Sequence, residues 1–497
     1  MSIRTALSAF AHRGAQRGSS ASFVVYSALL TMALLALAGW IVPDARAADA
    51  DALAMWWRSG NTPAIDPSLW TTLALADVLA CWLLVLGGFV VAPAMVAAAV
   101  ANERRAGTLD QLRTTPLSPL GLAGGIIVGV PARLYLLCAG PLALHVTAFV
   151  VGPLPLSSGV QSLAVLAAGT AASCALGLCV ALAPRQESGG TFAAVGVAAL
   201  LGLSGLIASA FAGDRHLVAW SFLHPAGALD AVMLLPRGLW RRMVVGPWGG
   251  SFDSERYGAA LALVPLLSVA ASLGLGALWL RAACRKLAAP ERPLFSKLQA
   301  VVVFGLAALA LLVPLWDGDR TARFDSAAVY GLTALMLPAL VTLGLLASPT
   351  FEAWALAARR GGQLGWRADD ASAHRAVWLM EALWVLLVMV TLRLRGWHLS
   401  GSDETLALGW TTLVALTLPV YLLFASTRYA TVAARWAFGV AVAAHLVGQL
   451  VAIAIVRDHD ARGFAGTFVT LAGVAAVCVP GWVALRQRAL RRATLAR

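Results

Sequence analysis

The sequence predicts an all-α polytopic membrane protein of about twelve transmembrane helices, arranged as two six-helix halves. Three observations carry this reading. Charged residues make up only 12% of the chain and hydrophobic ones 60%, where a soluble domain has roughly a quarter of its residues charged. Apolar runs near or above eighteen residues recur along the whole 497-residue length, and each is long enough to cross a hydrocarbon core of about 30 Å. Arginine gathers in alternate connections between those runs, as the positive-inside rule requires.

The spans follow in order. The first, near 23–42, is preceded by Arg4, Arg13 and Arg17 and followed by Ala45-Arg46-Ala47, which has the look of a signal-peptidase site. Its apolar run is longer than the usual signal-peptide core of about 7–15 residues, so an uncleaved span is favoured over a signal peptide. Either way the chain resumes outside the cytoplasm. Further spans lie near 69–100, 122–150, 158–183, 190–212 and 257–280, then near 298–316, 326–347, 377–394, 405–425, 433–456 and 464–485. Pro93, Pro131, Pro141, Pro265 and Pro338 fall inside spans and predict kinks, which neighbouring helices can accommodate in a membrane.

Residues 217–236, LVAWSFLHPAGALDAVMLLP, are apolar enough to tempt a thirteenth span, but His224, Pro225 and Asp230 sit at their centre. A mid-membrane charge costs about 2.5–3.5 kcal/mol on insertion scales. Counting the stretch as a span would also send the arginine-rich tail outside. It is read as a re-entrant or interfacial hairpin within the outer segment 213–256.

This layout divides the chain into a first half, 1–280, a linker, 281–297, carrying Pro290 and Pro293, and a second half, 298–497. With both termini cytoplasmic, the inner segments hold 23 Lys or Arg and the outer loops 13, counting Arg393 and Arg435 with the loops they adjoin and leaving Arg133 inside a span. The strongest votes are Arg281, Arg285 and Lys286, and the tail Arg486, Arg488, Arg491, Arg492 and Arg497. That placement accounts for the net charge of +13 and removes the case for a nucleic-acid partner. The six cysteines lie in or beside apolar runs without metal-type clustering and read as small buried side chains.

Enzymatic signatures are missing. No GxxxxGK[ST] phosphate cradle, HExxH or GxSxG occurs. His145 and His445 lie within spans, where satisfied packing is a better reading than ligation, and Asp458-His459-Asp460 reads as a solvated loop. Ionisable groups inside spans are functional candidates by default. Asp77 is the best of them, as a pathway or proton-relay residue; an interhelical polar contact, or a protonated carboxyl bonded to a neighbouring helix, is an equal alternative. Arg133 and Glu381 are read as interfacial.

One polar stretch interrupts the first half: ANERRAGTLDQLRTTPLSP, residues 101–119. Asn102 and Thr108 are candidate helix caps. Leu109 and Leu112 share a face at i, i+3, Thr114 to Pro119 turn the chain, and Ser118 or a neighbour starts the next helix. The expectation is a short amphipathic helix held between two spans on the cytoplasmic side, fit to rest on the membrane or to dock into a soluble partner.

Glu103-Arg104-x-x-Gly107-Thr108-Leu109-Asp110-x-Leu112-x-x-Thr115-Pro116-Leu117-Ser118 resembles the signature between the second and third spans of type-2 ABC transporter permeases, the exporter class. The six-span half and the re-entrant element before its last span are similar too. The resemblance implies a permease subunit of a bacterial-type inner membrane. It forms the translocation pathway, while a separate ABC ATP-binding subunit carries ATP and Mg; no cofactor is expected on this chain. It also implies that Glu103, Arg104, Gly107, Thr108, Leu109, Asp110 and Leu112 form the coupling helix that contacts the ATPase. Thr115, Pro116, Leu117 and Ser118 set its exit angle, and Gly107 permits a helix break. At the equivalent place the second half has Phe351-Glu352-Ala353-Trp354, then Arg359-Arg360-Gly361-Gly362, without the Gly-Thr-Leu-Asp core. It reads as a degenerate permease half, making a pseudo-dimer within one chain, or else as an added membrane domain; a homodimer also stays open. Two other functions remain: a secondary transporter driven by an ion gradient, with Asp77 as its proton site, and a membrane-embedded lipid-modifying enzyme using the outer segment 213–256.

Overall fold

The computed structural model describes residues 22–40, 67–114, 117–151, 156–183, 229, 254–290, 292–312, 339–340, 342–344, 346–348, 373–394 and 443. Among these residues the regular structure is helical, with no strand. Among the described residues four helices are long and apolar enough to cross a membrane: Ser22–Trp40, Leu75–Arg105, Gly159–Leu182 and Pro265–Ala288. The architecture is that of an all-α membrane protein. The spans expected at 190–212, 405–425 and 464–485 lie outside the described residues. So do those at 326–347 and 433–456 except for isolated positions, the element 217–236 except Leu229, and the stretch from Phe351 to Gly362.

By contact density the chain falls into two compact units, Met1–Ala288 and Ala289–Arg497. In the first, α1 (Ser22–Trp40) precedes α2 (Pro67–Val85), which runs without a break through a π-helical turn, Leu86–Val91, into α3 (Ala92–Arg105). The π turn has a local cause. Pro93 has no N–H to give and its ring crowds the carbonyl four residues back. Just ahead of it the Ala92 N–H reaches past that position to Gly87 O, a five-residue step that resets the ladder without leaving the helix.

A short helix α4 (Thr108–Arg113) follows. The span expected at 122–150 is then built from three pieces, α5 (Pro119–Gly129), α6 (Ala132–Leu137) and α7 (Ala139–Val151). Its breaks fall at Pro131 and just before Pro141. The chain remains bonded across both joints, with Tyr135 N–H donating to Pro131 O at 3.0 Å and Leu142 N–H to Cys138 O at 2.9 Å. The three pieces thus form one bonded, kinked helical segment, broken where its prolines predict kinks. Gly140, in the first turn of α7, gives its otherwise unpaired N–H to Ser27 Oγ of α1 at 2.7 Å, which satisfies a helix-end donor where water is scarce.

Helix α8 (Leu156–Leu182) packs on α3 and on the long α9 (Ser254–Ala288). Small residues set these distances. A Cβ on Gly177 would stand 2.5 Å from the Pro93 carbonyl oxygen, so glycine is required for α8 to approach α3 there. Hydroxyls within the apolar helices mostly bond back to their own backbone, as Thr31 does to Ser27 O at 2.9 Å and Thr147 to Ala143 O at 2.8 Å.

In the second unit, α10 (Lys297–Leu312) packs against α11 (His374–Leu394). Ser296 and Gln299 cap α10 reciprocally: Gln299 N–H donates to Ser296 Oγ at 3.2 Å and Ser296 N–H to Gln299 Oε1 at 2.9 Å. The string Ser296-Lys-Leu-Gln299 is the S-x-x-Q form of the capping box.

Candidate functional site

Helix α3 carries the polar segment at its end. It closes at Ala106, and Gly107 follows with φ of 72°. That left-handed backbone is open to glycine at little cost and strained for residues bearing a Cβ. The reversal at Gly107 starts α4. Thr108 is therefore the first residue of the short helix, not its cap, and Asn102 lies inside α3. The Thr108 hydroxyl turns back to Glu103 instead, against its carbonyl oxygen at 3.0 Å and its carboxylate. Motif residues five apart thus close the bend on each other.

Two arginines brace the segment to other helices of the same unit. Arg104 Nη1 donates to Ala181 O at 3.0 Å, a carbonyl in the last turn of α8. Arg113 pairs with Asp110 within α4 and extends Nη2 to Lys286 O at 3.5 Å, in the last turn of α9. Final-turn carbonyls have no partner within their own helix and carry the negative end of its dipole, so guanidinium groups fit there. Cys179, in the last turn of α8, links it to α9 further back, its thiol donating to Trp279 O at 2.9 Å.

Burial divides the segment into an inner and an outer face. Leu109 is 1% exposed and Leu112 half-buried. Arg105, Ala106, Gly107, Asp110, Gln111 and Thr114 are exposed. The amphipathic pattern is real, but its apolar side is used internally and the surface on offer is polar. Thr115 and Pro116 lie outside the described residues. Leu117 is half-buried, and Ser118 caps α5 by accepting from Gly121 N–H at 3.0 Å.

The other candidate, Asp77, lies on α2 away from this segment. No family model, curated protein or solved structure matches the chain. Its chemistry is therefore judged from the geometry alone. Asp77 Oδ1 is 2.7 Å from His145 Nδ1 on α7, and His145 Nε2 is 2.8 Å from Ser162 Oγ on α8. All three side chains are 0% exposed. Phe149 closes one side, edge-on to the imidazole with centroids 4.9 Å apart. Asp77 is thus joined to two neighbouring helices, and His145 is a hydrogen-bonded bridge at the centre. Sequence separations of 68 and 17 residues hide such a trio, and its members are scattered among other polar side chains of the same apolar runs, such as Thr72, Thr147 and Gln161.

Arg133 sits over the Phe23 ring at 5.5 Å, a cation–π contact between α6 and α1. Glu381 is buried, 7% exposed, on α11. Among the described residues no group of three or more His, Cys, Asp or Glu is placed to hold a metal.

Proposed function

We propose that this chain is the membrane permease subunit of an ATP-driven ABC exporter, forming the translocation pathway and coupling it to a separate ATP-binding subunit. The observation that supports it best is the build of residues 103–114: the core of a signature-like sequence folded as a short helix, entered through left-handed Gly107, braced to α8 and α9, with a polar face left outward. A free loop transmits no force; a helix fastened at several points does. In this reading the segment faces the cytoplasm, both termini are cytoplasmic, and about twelve spans form two halves, the second a degenerate permease half. ATP and Mg belong to the partner. In this reading the chain itself performs no ATP chemistry.

The reading places the docking surface on Arg105, Asp110 and Gln111 and gives Leu109 an internal anchoring role. The test is purification of the full chain from its native membranes. A P-loop ATPase with measurable ATP hydrolysis is expected to accompany the wild type and to be depleted at least tenfold by Asp110→Arg, with the amount of inserted chain unchanged. No ATPase in the wild-type preparation would refute the function. Transport abolished by an uncoupler and indifferent to ATP depletion would favour the gradient-driven alternative.

A further inference from the structure

The buried Asp77–His145–Ser162 chain has a fourth member that fixes its direction. Ser162 Oγ lies 2.8 Å from Gly159 O, three residues back on α8, as well as 2.8 Å from His145 Nε2. A carbonyl oxygen only accepts, so the single Ser162 hydrogen goes to Gly159 O. Ser162 Oγ must then accept from His145, which puts a hydrogen on Nε2. One contact remains, Asp77 Oδ1 to His145 Nδ1 at 2.7 Å, and it needs a hydrogen of its own. Three contacts require three hydrogens. Neutral histidine and serine supply two, so one more proton is held by the Asp77–His145 pair.

The environment decides which partner carries it. Asp77 Oδ2 is buried and has no hydrogen-bond partner. In a carboxylate that oxygen bears about half a negative charge, and in a carboxylic acid it is an ordinary carbonyl. Leaving a charged acceptor unsatisfied in a buried site costs more than leaving a neutral one. The surroundings are apolar: Leu75, Ala76, Ala80 and Leu144 belong to one buried cluster beside the pair, and Phe149 covers the ring.

We infer that Asp77 is a proton-binding site, holding its proton as a neutral carboxylic acid that donates to His145 Nδ1. His145 is then the neutral Nε2–H tautomer, and all donors run one way: Asp77 to His145 to Ser162 to Gly159 O. The trio joins α2, α7 and α8 without placing a net charge inside the bundle. This stands on the hydrogen count and does not depend on the exporter function.

The test uses the full chain in lipid nanodiscs. Infrared spectra are expected to show a protonated-carboxyl C=O band in the wild type that disappears in Asp77→Asn. With nitrogen-15 histidine labelling, the resonance lost in His145→Gln is expected to report neutral imidazole protonated at Nε2. Stability supplies a separate readout, because an asparagine amide N–H stands in for the acid O–H. Asp77→Asn should change the unfolding equilibrium by less than about threefold, and Asp77→Ala by about tenfold or more. An imidazolium at His145 with no Asp77-dependent acid band, or Asp77→Asn as damaging as Asp77→Ala, would overturn the inference.

Discussion

Leu109 separates two accounts of the polar segment. If its side chain waits for a partner, removing it leaves the isolated chain unaffected; if it anchors α4, removal loosens the segment before any partner arrives. The structure favours the anchor, since Leu109 is 1% exposed within a helix of only six residues. Burying a leucine side chain stabilises by about 1.5–3 kcal/mol, and Leu→Ala in a filled site costs about 2–5 kcal/mol once the cavity is included. A segment at the rim of the bundle relaxes more easily than a core, so the lower end applies, about 2 kcal/mol. Read as local opening, that is roughly a thirtyfold loss of amide protection. Hydrogen exchange on the purified full chain is the assay, with Leu109→Ala compared against Gln111→Ala at an exposed position of the same helix. Exchange across 104–114 is expected to quicken about thirtyfold for Leu109→Ala and less than about threefold for Gln111→Ala. Equal, small effects from both would refute the anchor and return Leu109 to the docking face.

Four further outcomes follow from the geometry. Gly177→Ala forces a Cβ to within 2.5 Å of the Pro93 carbonyl and should destabilise the first unit in a thermal melt. Gly274→Ala, where nothing lies within 4 Å, should be neutral or stabilising by up to about 1 kcal/mol. Ser118→Ala removes the cap on Gly121 N–H and should cost about 1 kcal/mol, seen as faster exchange at the start of α5 with α8 unchanged. Arg104→Ala frees the Ala181 carbonyl and should cost about 1 kcal/mol, measured as faster exchange in the last turn of α8.

The sequence makes some of this legible and hides the rest for physical reasons. Helix positions follow from apolar runs and their Pro and Gly interruptions, because in lipid every backbone group must bond within its own helix. The break at Gly107 and the cap at Ser118 were readable because both are local backbone requirements. Thr108 is not the cap its residue type predicts, because its hydroxyl has a competing acceptor, Glu103, brought close only by the bend itself. The Arg104–Ala181 brace and the Asp77–His145–Ser162 chain depend on which helices are neighbours, and hydropathy says nothing about that. The capping box Ser296-x-x-Gln299, at the end of the linker, is another local requirement written in a four-residue pattern.

The central claim is that the outward polar face of α4 docks an ATP-binding subunit. A photo-crosslinking residue placed at Gln111, in the otherwise unaltered full chain and in its native membrane, tests it directly. The account predicts that irradiation joins the chain to a P-loop ATPase from position 111 and not from the buried position 109. Crosslinks from 111 that contain lipid alone, or equal ATPase capture from both positions, would contradict it.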